Sequence, residues 1–261
     1  MNLLIALALA AAFAYFLRRP LREHAWAFYG MACVIDVLMV ADAIARVSPV
    51  IARVLFPYLE QSLFAFGLLT IVMLVGVLPE GNLKRSLRPI RGELSIVAAL
   101  LIAGHVIHYA NPMLTRMFFG GLGASGGTFW GTVLSMALIV LLVVLTVTSF
   151  KAIRSAMKPA TWKRVQMLAY PFYLLVFCHV FAMLFPSAMS GGEKATVNVA
   201  LYAIVLVVYA VARFARAKKD RYCPDSCANS SRRLPAVGMV TRPAATRPDT
   251  ASIPTRCRPR T

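Results

Sequence analysis

The sequence predicts an all-α integral membrane protein, a bundle of about seven transmembrane helices followed by a disordered basic C-terminal tail. Two observations carry this. Apolar residues make up 59% of the 261 positions, and several uncharged runs approach twenty residues, the length of helix that crosses a hydrocarbon core of about 30 Å. The cationic residues, which give a net charge of +18, also fall in alternate loops rather than in one patch.

Taken in order, the apolar runs place spans at roughly 2–17, 25–47, 56–78, 93–110, 128–150, 166–187 and 195–214. The second and fourth are the least clean, interrupted by Asp36, Asp42, His105 and His108. Arg18, Arg19 and Arg22 follow the first span. Lys84, Arg85, Arg88 and Arg91 fill the third loop, and Lys151, Arg154, Lys158, Lys163 and Arg164 fill the fifth. The intervening loops hold little beyond Arg53, Arg116 and Lys194. Positive charge collects on cytoplasmic loops, so the N-terminus is expected outside and the odd-numbered loops and the C-terminus inside a multi-pass cell-membrane protein. Seven spans with opposite termini agree with that alternation. Ala12-Phe13-Ala14 resembles a cleavage triplet, but a signal peptide carries its basic residues before the apolar run. Here they come after it, so the first helix is expected to be retained.

The same distribution removes nucleic acid as the partner implied by the charge. Residues 1–215 read as the membrane domain. Residues 216–261 are rich in Arg, Pro, Ser, Thr and Ala, a composition that cannot bury a core. The tail is expected to be disordered and drawn to anionic lipids of the inner leaflet. No dinucleotide fingerprint follows a predicted strand, so no NAD(P) or flavin domain is expected in this chain. The glycine-rich stretch 120–127 lacks the lysine and hydroxyl residue of a phosphate loop and reads as a flexible connection. Cys33 and Cys178 read as small apolar fillers, and Cys223 and Cys227 as reduced thiols of a cytoplasmic tail.

Two histidines lie deep in apolar runs, His105 in the fourth and His179 in the sixth. An ionisable group at that depth is costly and normally faces the bundle interior with a role. Neutral imidazole is a common ligand of metals and of haem iron, and one histidine from each of two helices can hold one haem edge-on. His105 is 12 residues beyond Glu93 and His179 is 13 beyond Gln166, rises of about 18 and 20 Å along helices that run the same way. Equal depth suits bis-histidine ligation. Either residue could instead hydrogen-bond a neighbouring helix. His108, one turn beyond His105, is an alternative ligand, a proton relay or an interfacial residue. His24 reads as solvated. Asp36 has no charged partner evident in sequence.

Arg88-Pro89-Ile90-Arg91-Gly92-Glu93-Leu94-Ser95-Ile96, followed by His105, resembles the arginine-to-histidine helix of the ferric-reductase-like transmembrane domain. Thr148-Ser149, Trp162, Gln166, Leu168, Tyr170 and His179 resemble that family's second block. The likeness covers roughly residues 56–190. The family includes ferric reductases, NADPH oxidases and the haem-binding membrane subunit of the periplasmic methionine-sulfoxide reductase. The resemblance implies a haem b protein that moves electrons across the bilayer, commonly through two stacked haems. This chain departs from it where Gln166 stands in place of a histidine and the facing region offers only Arg91 and Gly92, which implies one outer haem held by His105 and His179. The implied partners are a quinone or a redox subunit, and an acceptor outside. Arg88 and Arg91 are expected to meet lipid headgroups, and Tyr170 and Tyr173 to pack or to line a quinone or haem edge. A haem-free structural or transport protein is the competing expectation. Against a transporter stands the lack of paired broken helices in the sequence pattern.

Overall fold

The computed structural model of the protein describes residues 2–42, 46, 48–119 and 126–231. Among these residues there is no strand; nearly all are helical. Close contacts divide the chain into two compact units, Met1–Tyr209 and Ala210–Thr261. The packing described below is that of the first.

Helices α1 (Asn2–Phe16), α2 (Arg18–Glu23) and α3 (Ala25–Val40) open the chain. They are followed by α4 (Pro49–Leu59), α5 (Leu63–Val77), α6 (Asn82–Leu87) and a 3₁₀ turn, Arg88–Ile90. Then come α7 (Arg91–Phe119), α8 (Gly126–Ser149), α9 (Lys151–Ala156), α10 (Pro159–Gln166), α11 (Ala169–Met189) and α12 (Glu193–Ser231). Five helical segments are long and apolar enough to cross a membrane: Pro49–Val77, Asn82–Ala110, Phe129–Ser149, Pro159–Met189 and Glu193–Lys218. Asn2–Phe16 and Ala25–Val40 are apolar but shorter, about 22–24 Å at 1.5 Å per residue.

Local chemistry explains several boundaries. The expected span 25–47 stops as a helix at Val40, because Asp42 turns the backbone into the left-handed region (φ 51°) and Arg46 caps the Ala41 carbonyl at 2.8 Å. Ser48 caps the next helix by accepting from the Ile51 N–H, with Pro49 in the first turn, where its missing N–H costs nothing. The expected span 56–78 is two helices, parted at Glu60–Gln61–Ser62 by a left-handed Ser62 (φ 54°). Lys84 reaches back to cap the Leu78 carbonyl at 3.0 Å and pairs with Glu80 at 2.9 Å. The last helix continues to Ser231, well past the expected end near 214. Of the expected disordered tail, residues 232–261 lie outside the described residues, as do 120–125 of the glycine-rich stretch.

The core is built from α1, α2, α3, α5 and α7. Ala10, Ala14, Leu21, Ala32, Ala65, Leu68, Val72, Leu94 and Val97 are buried in one cluster. Small residues let the first and fifth helices touch: a Cβ on Gly67 would stand 2.8 Å from Ala10 Cβ and 3.0 Å from the Ala6 carbonyl oxygen. Close backbone approach of this kind is how helices pack where apolar burial alone does not bring them together. α8 pairs with α11 on the same basis, with Gly131 against the Met183 sulfur. An aromatic group of Phe66, Tyr173, Phe177 and Tyr202 joins α5 to α11 and α12, with ring centroids 5.0–6.4 Å apart. Cys33 and Cys178 lie within α3 and α11 and are exposed on those helices.

Tyr173 is 1% exposed and donates to Thr70 Oγ1 at 3.0 Å, while Thr70 donates to the Phe66 carbonyl at 2.9 Å. Tyr173→Phe is therefore expected to cost about 1 kcal/mol, read as a lowered Tm of the detergent-purified protein. It packs the α5–α11 contact; Tyr170, by contrast, is exposed.

Candidate functional site

Polar side chains gather in two places in the helix bundle. At one end, Trp162 Nε1–H donates to the Thr148 carbonyl at 3.0 Å and Gln166 Nε2–H donates to Thr148 Oγ1 at 3.1 Å. Arg154 stacks on the Trp162 ring at 4.4 Å, and Lys151 pairs with buried Glu93 at 3.3 Å. Thr148, Trp162 and Gln166 are thus one knot closing α8 onto α10. Gln166 has a structural partner there, and Arg91 lies near Gly76 of α5.

The histidines stand mid-helix, His105 in the middle of α7 (Arg91–Phe119) and His179 in the middle of α11 (Ala169–Met189). His105 Nδ1 bonds the Glu60 carbonyl. The break after α4 explains this: it frees backbone carbonyls, and a buried carbonyl requires a donor. His179 Nδ1 lies 3.0 Å from the Gly131 carbonyl and 3.2 Å from Ser135 Oγ, both on α8. In each imidazole the N–H that faces a carbonyl must be on Nδ1. The lone pair is then left on Nε2. α7 and α11 share almost no backbone contact; α11 packs on α8, while α7 packs chiefly on α3 and α5.

His108 differs. Its Nε2 is 3.2 Å from Glu60 Oε1, and Tyr109 O–H donates to the same oxygen at 2.7 Å. The Phe56 ring stands edge-on to His108, with centroids 6.5 Å apart. Glu60 itself is 5% exposed, and its Oε2 has no hydrogen-bond partner. Asp36 lies against Gly104, where a Cβ would collide with its carboxyl group; the glycine is what admits this carboxylate between α3 and α7.

An imidazole from each of two helices is the donor chemistry that haem iron takes. Two imidazoles on different helices present Nε2 with the opposite nitrogen oriented by a carbonyl, the outer-shell arrangement of metal-bound histidine. Among the described residues no group of three or more His, Cys, Asp or Glu side chains is arranged to hold a bare metal ion, but haem iron requires only axial ligands from the protein. Sequence reasoning reached His105, His179 and His108 and missed Glu60, Tyr109 and Ser135. The signal for Glu60 was present: a carboxylate, an amide and a hydroxyl in succession inside the apolar run 56–78.

No family model matches the chain, and no solved structure matches it. An uncharacterized protein of Treponema pallidum (strain Nichols) is 36% identical over 207 residues, which is 78% of this chain. The chain spans 58% of that relative's length.

Proposed function

We propose that the protein is a seven-span electron-transfer subunit of the cell membrane, related in design to the ferric-reductase-like transmembrane domain, that holds one haem b between α7 and α11. The observation that carries this is the matched pair of imidazoles, each with Nδ1 tied to a backbone carbonyl and Nε2 left to ligate. His105 and His179 would hold the iron, and the group would supply one-electron exchange. Ser135 and the Gly131 carbonyl orient His179, and the Glu60 carbonyl orients His105. Gln166, engaged by Thr148, leaves the chain with one haem rather than two.

The crossing segments are Asn2–Phe16, Ala25–Val40, the broken Pro49–Val77, α7, α8, α11 and the first part of α12. With the arginine- and lysine-rich connections inside, the N-terminus and the histidines lie towards the outside and the C-terminus lies in the cytoplasm. Electrons come from quinol or a partner subunit and leave to an extracytoplasmic acceptor, and the basic tail meets anionic lipid. The test is an oxidised and a dithionite-reduced spectrum of the purified protein with haem quantified per chain. One b-type haem is expected. A colourless preparation from haem-replete cells sinks the reading, and two haems per chain sinks the assignment of Gln166.

A further inference from the structure

Where α1 gives way to α2, Tyr15, Phe16, Arg18 and Arg19 line an open notch of about 370 Å³, a volume in the range of small-molecule sites. Its two halves differ in chemistry. Tyr15 and Phe16 form an edge-to-face pair with ring centroids 5.4 Å apart. Arg18 is held in place beside them: its guanidinium stacks on the Tyr15 ring at 4.4 Å, and Nη1–H donates to the Tyr15 carbonyl at 2.9 Å. An arginine has five N–H donors, so most of that fork is still on offer. Arg18, Arg19 and Arg22 share one face of α2, three and four residues apart.

The fold brings a second basic segment to the same end. Leu21 of α2 is buried in one cluster with Leu87 and Ile90, and α2 packs on the 3₁₀ turn Arg88–Ile90. Burying Leu87 and Ile90 leaves Arg85 and Arg88 exposed beside them. Arg19, Arg22, Arg85 and Arg88 have no ion-pair or side-chain hydrogen-bond partner among the described residues. Nearby carboxylates offer little relief, since Glu80 is taken by Lys84 and Glu93 by Lys151, which leaves Glu23 of α2. Lys84 caps the Leu78 carbonyl and Arg91 lies near Gly76, so neither joins the patch.

The exposed rings decide the ligand. Phe16 and Trp26, just before and just after α2, are 75% and 74% exposed. Aromatic rings beside basic residues at the end of an apolar helix are the chemistry of the headgroup region. A soluble phosphate ester would leave both rings bare, whereas a phospholipid brings glycerol and acyl carbons to cover them. We propose that the α1–α2 notch binds one anionic phospholipid, its phosphate held by Arg18 and Arg19. Arg22, Arg85 and Arg88 add the positive potential that selects an anionic over a zwitterionic headgroup, as basic pockets between membrane helices do. Unlike the diffuse attraction expected of the basic tail, this site saturates at one lipid per chain. It rests on a bundle that crosses a membrane and makes no use of haem.

The test titrates phosphatidylglycerol or phosphatidylcholine of the same acyl chains, as mixed micelles, into the delipidated full chain in mild detergent. A saturable rise in Tm is expected with phosphatidylglycerol alone, since a ligand that binds only the folded state stabilises it by mass action. Native mass spectrometry should retain one phosphatidylglycerol per chain. Arg18→Gln with Arg19→Gln is expected to weaken the apparent affinity about thirtyfold, the loss of two basic contacts to an anionic headgroup. Arg85→Gln with Arg88→Gln alters exposed side chains only and should weaken it in the same direction, so the site is read even if the first pair fails to fold. Lys163→Gln with Arg164→Gln, on the connection between α8 and α11, should keep the full response. Equal responses to the two lipids, including none, overturn the proposal. So does a response that survives both arginine pairs, or one that the 163/164 pair weakens as much. An equal rise with inorganic phosphate or glycerophosphate would put a soluble phosphate in the notch and overturns the lipid. A colourless protein that still binds phosphatidylglycerol separates this site from the haem reading.

Discussion

His105→Ala and His179→Ala are each expected to abolish the b-type Soret shift on reduction, while His108→Ala retains it. The asymmetry follows from which nitrogen is free. In His105 and His179 the carbonyl of another helix takes Nδ1, so Nε2 carries the lone pair that binds iron. In His108 it is Nε2 that faces a carboxylate, at 3.2 Å. Each variant removes the imidazole that one of the two helices would offer the group, so a site between two helices would lose its clamp. Ser135→Ala should act more mildly: the Gly131 carbonyl still holds the ring, so haem retention falls by about tenfold, the low end for an outer-shell partner. Spectra with haem quantified per chain check all four variants. If His108→Ala bleaches the protein and His105→Ala does not, the ligand lies one turn further along α7.

Gly67→Leu is the second large effect. Even its first carbon would lie 2.8 Å from Ala10 Cβ and 3.0 Å from the Ala6 carbonyl oxygen, and the carbonyl is backbone, which cannot swing aside. α1 must then move off α5, at a cost of about 1–3 kcal/mol or more. A lower Tm and a broadened size-exclusion profile in detergent are expected. Gly67→Ala in an Ala10→Gly background should recover part of the loss, because the nearest colliding atom is gone while the Ala6 carbonyl remains. The coupling is measurable as the difference between the double and single variants. Wild-type stability for Gly67→Leu would mean that the two helices do not meet as described.

The helices that sequence made legible are those whose signal is length of apolar run, such as Gly126–Ser149 and Ala169–Met189, each within about three residues of expectation. What stayed hidden is backbone conformation. Asp42 and Ser62 both take positive φ, a choice set by tertiary packing and carried by residues that hydropathy averages into their neighbours. The second span was therefore drawn past its helical end at Val40, and the third was drawn as one helix. Among the described residues the Pro49–Val77 segment is broken once, at Glu60–Gln61–Ser62, whereas the transporter pattern calls for a pair of broken helices. At the site, the helical spacing of His105 and His179 was readable because a histidine stands out in an apolar run. Their orienting groups were not readable, because two of them are backbone carbonyls, of Glu60 and Gly131, which carry no sequence signature. Thr148, Trp162 and Gln166, which lie up to 18 residues apart in the chain, meet in one hydrogen-bonded knot.

The match of Ala10 to Gly67 also sets a clock. The 57 residues that separate them take about 3–11 s to synthesise at 5–20 residues per second. Throughout that interval the first helix has emerged and its partner has not. It carries a stripe of alanines with nothing to rest against, and at about 22 Å it is shorter than a hydrocarbon core of about 30 Å. The earliest stage of biogenesis is therefore the most exposed one. Slowing translation between these two helices should lengthen the period in which quality-control proteases find the nascent chain, and a ribosome stalled before Gly67 should yield a product that is degraded rather than stored.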